Sequence, residues 1–545
     1  MAFNFADLLT TIAEEVPDTE ALIVGDRRRT YAELEERSCR LANFLLTAGL
    51  EVRAERSGLA GHESGQAHVA LYLYNGFEYL EGMFGAWKAR AASFNVNYRY
   101  VEDELLYLFD NSQARAVLYH AEFAPRIAAI RDRLPQLSVL IQVEDDSGEA
   151  LLPGAVAYED ALAGASPDRP SATPSPDDLY ILYTGGTTGM PKGVLWRSDD
   201  IFVGAMGGRR QDGSEFSSYA EIAEQARADP GKKSLVGPPL MHGAAQWAAC
   251  NGMTNGGTAV FPSEVRRFDA RDFLETAARE RVVGFTIVGD AFARPLIDEL
   301  RRGDYDLSGL ILIGSGGAPL SVANKEALFE QLPHIMIFDG MGSSEAGTQA
   351  TSVSTRGAAS TGRFRAGEGS IVLSEDLTRV LDPSEDEVGW LAMAGRVPLG
   401  YLGDAEKTAR TFPVIDGVRY SVPGDRAYYH DDGTVELLGR DSACINSGGE
   451  KIFAEEVELA IKAHPDVFDA VVAPRPSERW GEEVVAVVAL REGLDPDEAS
   501  LLAGAAERIA RYKLPKAFVF TESVQRSPSG KADYRWAREK VLSGA

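Results

Sequence analysis

Cysteine is scarce in this chain: three residues in 545, Cys39, Cys250 and Cys444, far apart and without a CxxC pair. That spacing supports neither a disulfide framework nor a cysteine zinc site. Small core or near-surface thiols in a reducing compartment are expected. Positive charge is short as well. Lys and Arg number 55 against 82 Asp and Glu, a net of -27. A surface built to neutralise a nucleic-acid backbone or an anionic membrane is therefore not expected, and any anion site must be local. Long apolar runs are missing too. The stretch 68–94 is broken by Glu78, Glu81 and Lys88, whereas about 20 apolar residues are needed to span a bilayer. The opening residues, MAFNFADLLTTIAEEVPDTEAL, are acidic and hold no signal-like apolar region. A cytoplasmic protein that is not integral to a membrane is the expectation.

What is present points to α/β architecture. Hydrophobic residues make up 45% and charged residues 25%, an ordinary globular balance, and the length suits two or more domains. Short β-branched runs recur: AVLYH (116–120), SVLIQVE (138–144), LYILYT (179–184), VVGFTIVG (282–289) and LILIG (310–314). Between them lie helical patterns such as 31–50, where Leu34, Leu41 and Leu45 share a face. That alternation predicts mostly parallel sheet. Residues 205–233 are polar and Gly-broken and read as an inserted excursion. After about residue 440 the pattern changes. VVAPRPSERWGEEVVAVVALREG reads as two strands around a turn, and ASLLAGAAERIARYKLP as a helix stopping before Pro515, in a small α+β domain of about a hundred residues.

Residues 183–193 read YTGGTTGMPKG. The lysine spacing fails the Walker A pattern, and the glycines fail the dinucleotide fingerprint. No VAIK or HRD segment supports a kinase. Yet the loop follows an apolar strand, and glycines bring backbone N–H groups close to an anion while Thr hydroxyls add donors. Alone it is as well read as a polar turn. Further segments follow it in order: PLMHGA (239–244), GSGGAPL (314–320), MGSSE (341–345), Gly424-Asp425, GRDSACINSGGEKIFAEEVE (439–458) and SPSGKADYRWA (527–537).

Together these segments strongly resemble the adenylate-forming superfamily of acyl-CoA synthetases, peptide-synthetase adenylation domains and luciferases, over nearly the whole chain. NVNYRYVEDELLYLFDNS (95–112), INSGGEKIFAEEVE and SPSGKADYRWA are similar to actinobacterial acyl-CoA synthetases of steroid side-chain catabolism. The resemblance implies a large N-terminal domain of several α/β subdomains with a small β-barrel-like part over 1–438. It also implies a hinge at 439–442 and a small mobile α+β C-terminal domain at 443–545. It further implies a two-step reaction. A carboxylate attacks the α-phosphate of ATP·Mg2+, expelling pyrophosphate, and the thiol of CoA then attacks the acyl adenylate, releasing AMP. The problem of the first step is accumulating negative charge, so cations and N–H dipoles must carry the catalysis.

Residue by residue, the resemblance places Thr184, Gly185, Gly186, Thr187, Thr188, Gly189 and Lys192 around the β- and γ-phosphates. Thr184 and Glu345 match the magnesium positions. Gly316, Gly317 and Ala318, with Asp339, Gly340, Met341, Gly342, Ser343 and Ser344, match the adenine side. Met341 stands where the family commonly has an aromatic ring, and an apolar thioether can still cover a purine face. Asp425 matches the ribose acceptor and Arg440 a nearby charged donor. Lys531 matches the lysine that bridges carboxylate and α-phosphate in the first step. His242 matches the residue lining the acyl carboxylate site and the thiol path. Rotation about the hinge, where Ser442 replaces the usual Asp or Lys, withdraws Lys531 and presents Ser447, Gly448 and Gly449 to CoA, with Lys451 toward a phosphate. The acyl pocket is expected along 288–300 and 241–250, where Gly289, Ala244, Ala245 and Ala248 are small and Trp247 is large. This suits a bulky hydrophobic acid, with ordinary helix packing as the rival reading. The expected activity is an ATP-dependent acyl-CoA synthetase for a steroid side-chain acid. The alternatives are a medium- or long-chain fatty acyl-CoA synthetase and a fatty acyl-AMP ligase that loads a carrier protein. A homodimer is left open.

Overall fold

The structure is a computed structural model that describes residues 2–184, 190–210, 212–385, 387–447, 450–477, 479–526 and 530–543. The expected phosphate-loop residues Gly185, Gly186, Thr187, Thr188 and Gly189, the glycines Gly448 and Gly449, and the side chains of Ser442 and Lys451 lie outside that description.

Among the described residues the strands gather into sheets of eight, fifteen and five strands. The eight-stranded sheet is parallel at its centre, with His68–Tyr72 between Ala92–Asn95 and Ala114–His120. Leu179–Thr184 joins it in parallel beside Ala92–Asn95, and Lys192–Arg197 then runs antiparallel to it. The LYILYT run has no polar alternation because five of its six residues are buried, as a strand covered on both faces requires. The helix expected around 31–50 is Tyr31–Thr47, opened by a reciprocal Thr30–Glu33 capping box. Leu34, Leu41 and Leu45 are fully buried on it, each stabilising the core by about 1.5–3 kcal/mol.

The fifteen-stranded sheet has a parallel centre, with Gly284–Ile287, Leu312–Gly316 and Met336–Ser343 side by side. It then turns antiparallel from Gly347–Ser354 onward, through Arg363–Ala366 and Thr434–Arg440 to Asp425–Tyr429. The part expected to be barrel-like is this antiparallel run, and it hydrogen-bonds directly onto the large sheet. The polar 205–233 stretch is less of an excursion than its composition suggests. Ser218 caps a helix, Tyr219–Ala228, that packs on Phe5–Glu15, burying Phe216, Ile222 and Ala226.

The large sheet's last strand in sequence ends at Arg440, and the five-stranded sheet starts with Cys444–Ser447. Val467–Ser477 and Gly481–Leu490 form the expected antiparallel pair. The helix expected to reach Pro515 ends at Ala506, followed by a short turn at Arg511–Lys513. The bend lets Ile509 and Leu514 pack on the C-terminal core, which a straight helix would not allow for both.

Candidate active site

Parallel strands collect binding loops at their carboxyl ends, and most of the motifs lie there. Thr184 ends Leu179–Thr184 and pairs with Lys192, the first residue of the next strand. Gly316 ends its strand opposite Gly340, with Gly317 and Ala318 following. Glu345 sits in the turn between Met336–Ser343 and Gly347–Ser354.

Four charged groups converge at this edge. Asp425 and Arg440 lie opposite each other on paired strands, with Arg440 Nε 2.8 Å from Asp425 Oδ1. Glu345 accepts a hydrogen bond from the Tyr401 hydroxyl at 2.8 Å. Lys531 comes from the smaller domain, its Cε 3.9 Å from where a Cβ on Gly317 would stand. Its side chain is open to solvent in a cleft walled by protein. Those walls lower its pKa below the ordinary lysine value, helped by Arg440 and opposed by Glu345 and Asp425. Burial raises the Asp425 carboxyl, outweighing Arg440, while neighbouring Glu345 adds to the rise. Burial works against the Arg440 charge, but Asp425, Glu345 and Glu455 outweigh it and hold the guanidinium charged. Two cations and two carboxylates thus share one mouth, so an incoming polyanion meets a mouth with no net charge of its own.

His242 lies at the other side of the cleft as the N-cap of Gly243–Thr254. Its pKa is pushed down to about 3 by burial, with Lys531 and Arg99 adding repulsion. Its ring is therefore neutral at ordinary pH. Its Nε2 is buried and has no hydrogen-bond partner among the described residues, which leaves a directed donor or acceptor for a bound group. The backbone beside it is fixed by Asn95, which opens the 95–112 stretch but carries no expected role there. Asn95 donates through Nδ2 to the carbonyls of Tyr183, at 2.9 Å, and Met241, at 2.6 Å. Its Oδ1 accepts from the Tyr183 N–H at 2.8 Å. One buried amide thereby ties the residue before Thr184 to the residue before His242.

The remaining expected residues divide. The Asp339 carboxylate is held by Lys325 Nζ at 2.6 Å, which leaves its main chain for the cleft. Met341 is 8% exposed and packs with Ala350, Val372, Ala427 and Val435, so most of its surface is taken up by the core. Ser343 Oγ is buried without a partner among the described residues, and the Ser344 carbonyl accepts from Trp196 Nε1 at 2.8 Å. Gly342 is exposed at the strand end. Ser447 pairs with Glu450 and Gly481 inside the C-terminal sheet, so Lys531, not this hairpin, completes the charged cluster. Two of the small residues expected to line an acyl pocket have packing reasons for being small. Ala245 is fully buried in the core. Gly289 has φ +51°, and a Cβ there would collide with the carbonyls of Ala318 and Pro319. Ala244, Trp247 and Ala248 remain at least partly exposed.

Comparison with known proteins decides the family. The AMP-binding enzyme family matches residues 9–402, and the AMP-binding enzyme C-terminal domain matches 456–531. The chain belongs to the AMP-binding enzymes. It is 56% identical, over all of its length and 99% of the relative's, to the medium-chain acyl-CoA ligase Mig of Mycobacterium avium. It is 42% identical to the medium/long-chain-fatty-acid–CoA/3-oxocholest-4-en-26-oate–CoA ligase of Mycobacterium tuberculosis, over 99% of this chain and 96% of that one. In fold, this AMP-binding enzyme superposes on the anthranilate CoA ligase AuaEII in complex with anthranoyl-AMP. The TM-score is 0.81 at 21% identity, over all of this chain and 98% of that one. No helix among the described residues of this AMP-binding enzyme is long and apolar enough to cross a membrane.

Proposed function

We propose that this AMP-binding enzyme is an ATP-dependent acyl-CoA ligase for hydrophobic carboxylic acids, working through an acyl adenylate. The observation that carries the reading is the convergence of Lys531, Arg440, Glu345 and Asp425 at one strand edge, facing a neutral His242. Lys531 supplies a mobile ammonium with several donors to the acid's carboxylate and the α-phosphate together. Arg440 fixes the Asp425 carboxylate, an acceptor suited to ribose hydroxyls. Thr184 and Glu345 are oxygen donors of the kind Mg2+ takes, and the bound ion would neutralise phosphate charge. Tyr401 orients Glu345 from behind. Carboxylate oxygen bonds to the α-phosphorus as pyrophosphate leaves. The CoA sulfur, from a thiol whose cysteine-type reference pKa is about 8.5, then bonds to the acyl carbon as AMP leaves. Neutral His242 offers a hydrogen bond near that carbon and needs no charge to do so. The domain limits 1–438 and 443–545, with a hinge between them, belong to the same reading, as do Ser447 and Lys451 on the CoA side.

The acid extends to steroid side-chain acids, because a full-length relative is named for a fatty acid and a steroid acid together. A second reading, with medium-chain fatty acids as the main substrates, is favoured by the 56% relative and by the packing reasons for small Ala245 and Gly289. The test offers purified protein ATP, Mg2+ and CoA with a steroid C5-side-chain acid, a medium-chain fatty acid or palmitate, and reads the thioester by mass spectrometry. Steroid thioester at a rate comparable with the best fatty acid supports the first reading. Fatty thioester alone supports the second. Adenylate without thioester from every acid would remove the ligase reading in favour of carrier-protein loading.

A further inference from the structure

Away from the cleft, six charged side chains meet where the two domains touch. Asp290 and Arg294, each about 7% exposed in the side chain, lie on the helix Gly289–Leu300 of the large domain. Glu458 and Lys462 lie on Ala454–Lys462, Asp469 on Val467–Ser477, and Arg526 just ahead of Lys531. Asp469 is the hub. It accepts from Arg526 Nε at 2.6 Å and Nη2 at 2.7 Å, the strong bidentate geometry. Its Oδ1 is 3.4 Å from Arg294 Nη1 and 3.9 Å from Lys462 Nζ. Arg294 also lies 5.3 Å from the ring centre of Phe468. Arg526 then donates through Nη1 to the carbonyl of Gly530 at 3.1 Å, the residue before Lys531, and bridges to Ala532 on its other side.

We propose that Arg294, Asp469 and Arg526 are positioning residues that relay the large domain's grip to the backbone at Gly530 and Lys531 and hold the lysine in the cleft for the first step. The inference rests on the assignment of Lys531 to adenylate formation. Buried ion pairs add little net stability, because desolvation offsets attraction, and their best-attested use is to specify one arrangement. The division of charge here fits that use. On the large domain, Asp290 and Arg294 pair at 3.3 Å, and Asp290 also accepts from the Ser321 N–H at 2.8 Å and hydroxyl at 3.0 Å. On the smaller domain, Asp469 and Glu458 balance Arg526 and Lys462. Most of the charge is thus balanced within each face, and Arg491 of the smaller domain adds a weaker repulsion toward Arg294. Parting breaks the attraction of Arg294 to Asp469 and Phe468 and that of Asp290 to Arg526. The contact therefore favours the arrangement with Lys531 in the cleft while leaving it reversible. Arg526 ties the strength of that contact to the position of the lysine backbone.

The test separates the two half-reactions in the full-length protein. Pyrophosphate exchange into ATP reads the first, and CoA attack on chemically made acyl adenylate reads the second. Arg294→Met is expected to slow the first by about tenfold, the scale of coupling between contacting residues, with the second unchanged or faster. Arg294→Lys should recover part of the loss. The ratio of the two rates is decisive, since simple misfolding lowers both. Asp469→Asn, which leaves Arg526 an acceptor, should bias the ratio in the same direction and serves if Arg294→Met does not fold. Equal loss in both half-reactions, or no loss in either, overturns the relay. Lys531→Ala runs alongside. If it keeps the first half-reaction, the lysine assignment falls and takes the relay with it. If it loses that step while Arg294→Met and Asp469→Asn keep it, the relay alone is overturned.

Discussion

The two sides of the cleft are built from opposite materials. Where Asp425, Arg440, Glu345 and Lys531 meet, order comes from charge: Arg440 pairs with Asp425 at 2.8 Å, and Arg440, Glu345 and Asp425 all act on Lys531. Where Thr184 and His242 are set, order comes from one neutral amide, Asn95, whose three hydrogen bonds join two chain segments. Under the proposed hinge rotation, the charged side would release and re-form its contacts with Lys531. The amide side is buried and satisfied, and it suits a fixed template. A site that performs two successive reactions needs both: one wall that stays and one group that leaves.

Lys531→Ala tests the movable side and should have the largest effect. Loss of one such donor costs on the order of 10²–10³ in rate, and it should fall on adenylate formation alone. CoA attack on supplied acyl adenylate should continue. Asn95→Ala tests the fixed side. It orphans the Tyr183 N–H and two carbonyls, at about 1–3 kcal/mol each. Both half-reactions should fall together, by about tenfold or more, with a lower unfolding midpoint. Loss confined to one half-reaction would break the contrast between the walls.

Tyr401→Phe sharpens the charged side. It removes one hydrogen bond to the Glu345 carboxylate, a contact worth about 1.5–3 kcal/mol of which the open carboxylate regains part from water. A several-fold rise in the Mg2+ concentration for half-maximal rate is expected, with little change in the unfolding midpoint. For His242 the expected effect is one of stability, not of rate. Its pKa falls from 6.5 to about 3 on folding. Between these values the unfolded chain binds the extra proton, so the contribution favours the native state above pH 6.5 and is lost as pH drops toward 3. His242→Asn should flatten that part of the acid-unfolding curve relative to the parent, measured by chemical denaturation at each pH.

The charged wall was legible in the sequence because its members sit in compact segments, MGSSE, Gly424-Asp425-to-Arg440 and the SGK run, whose chemistry demands particular side chains. The structure brings Glu345, Asp425, Arg440, Lys531 and His242 to one cleft. The strands were legible for a related reason. LYILYT and the 467–490 pair are apolar and β-branched, with turn residues at their ends. The amide wall was not legible. Asn95 lies 88 residues from Tyr183 and 146 from Met241, and its partners are backbone atoms, which leave no mark on composition. Tyr401 reaches Glu345 across 56 residues and carries no local signal either. The small residues misled in part, because a glycine excluded by carbonyls and an alanine packed in a core look in sequence like a roomy pocket.

The central claim is that this cleft transfers an adenylyl group to the acid before CoA arrives. The most direct measurement supplies a fatty acid labelled with heavy oxygen in both carboxylate positions, with ATP, Mg2+ and CoA, and follows the label by mass spectrometry. The account predicts one labelled oxygen in AMP for each thioester formed, because the carboxylate oxygen stays on the α-phosphorus when sulfur displaces it. Label in inorganic phosphate with ADP as the nucleotide product would place attack at the γ-phosphate and contradict the account.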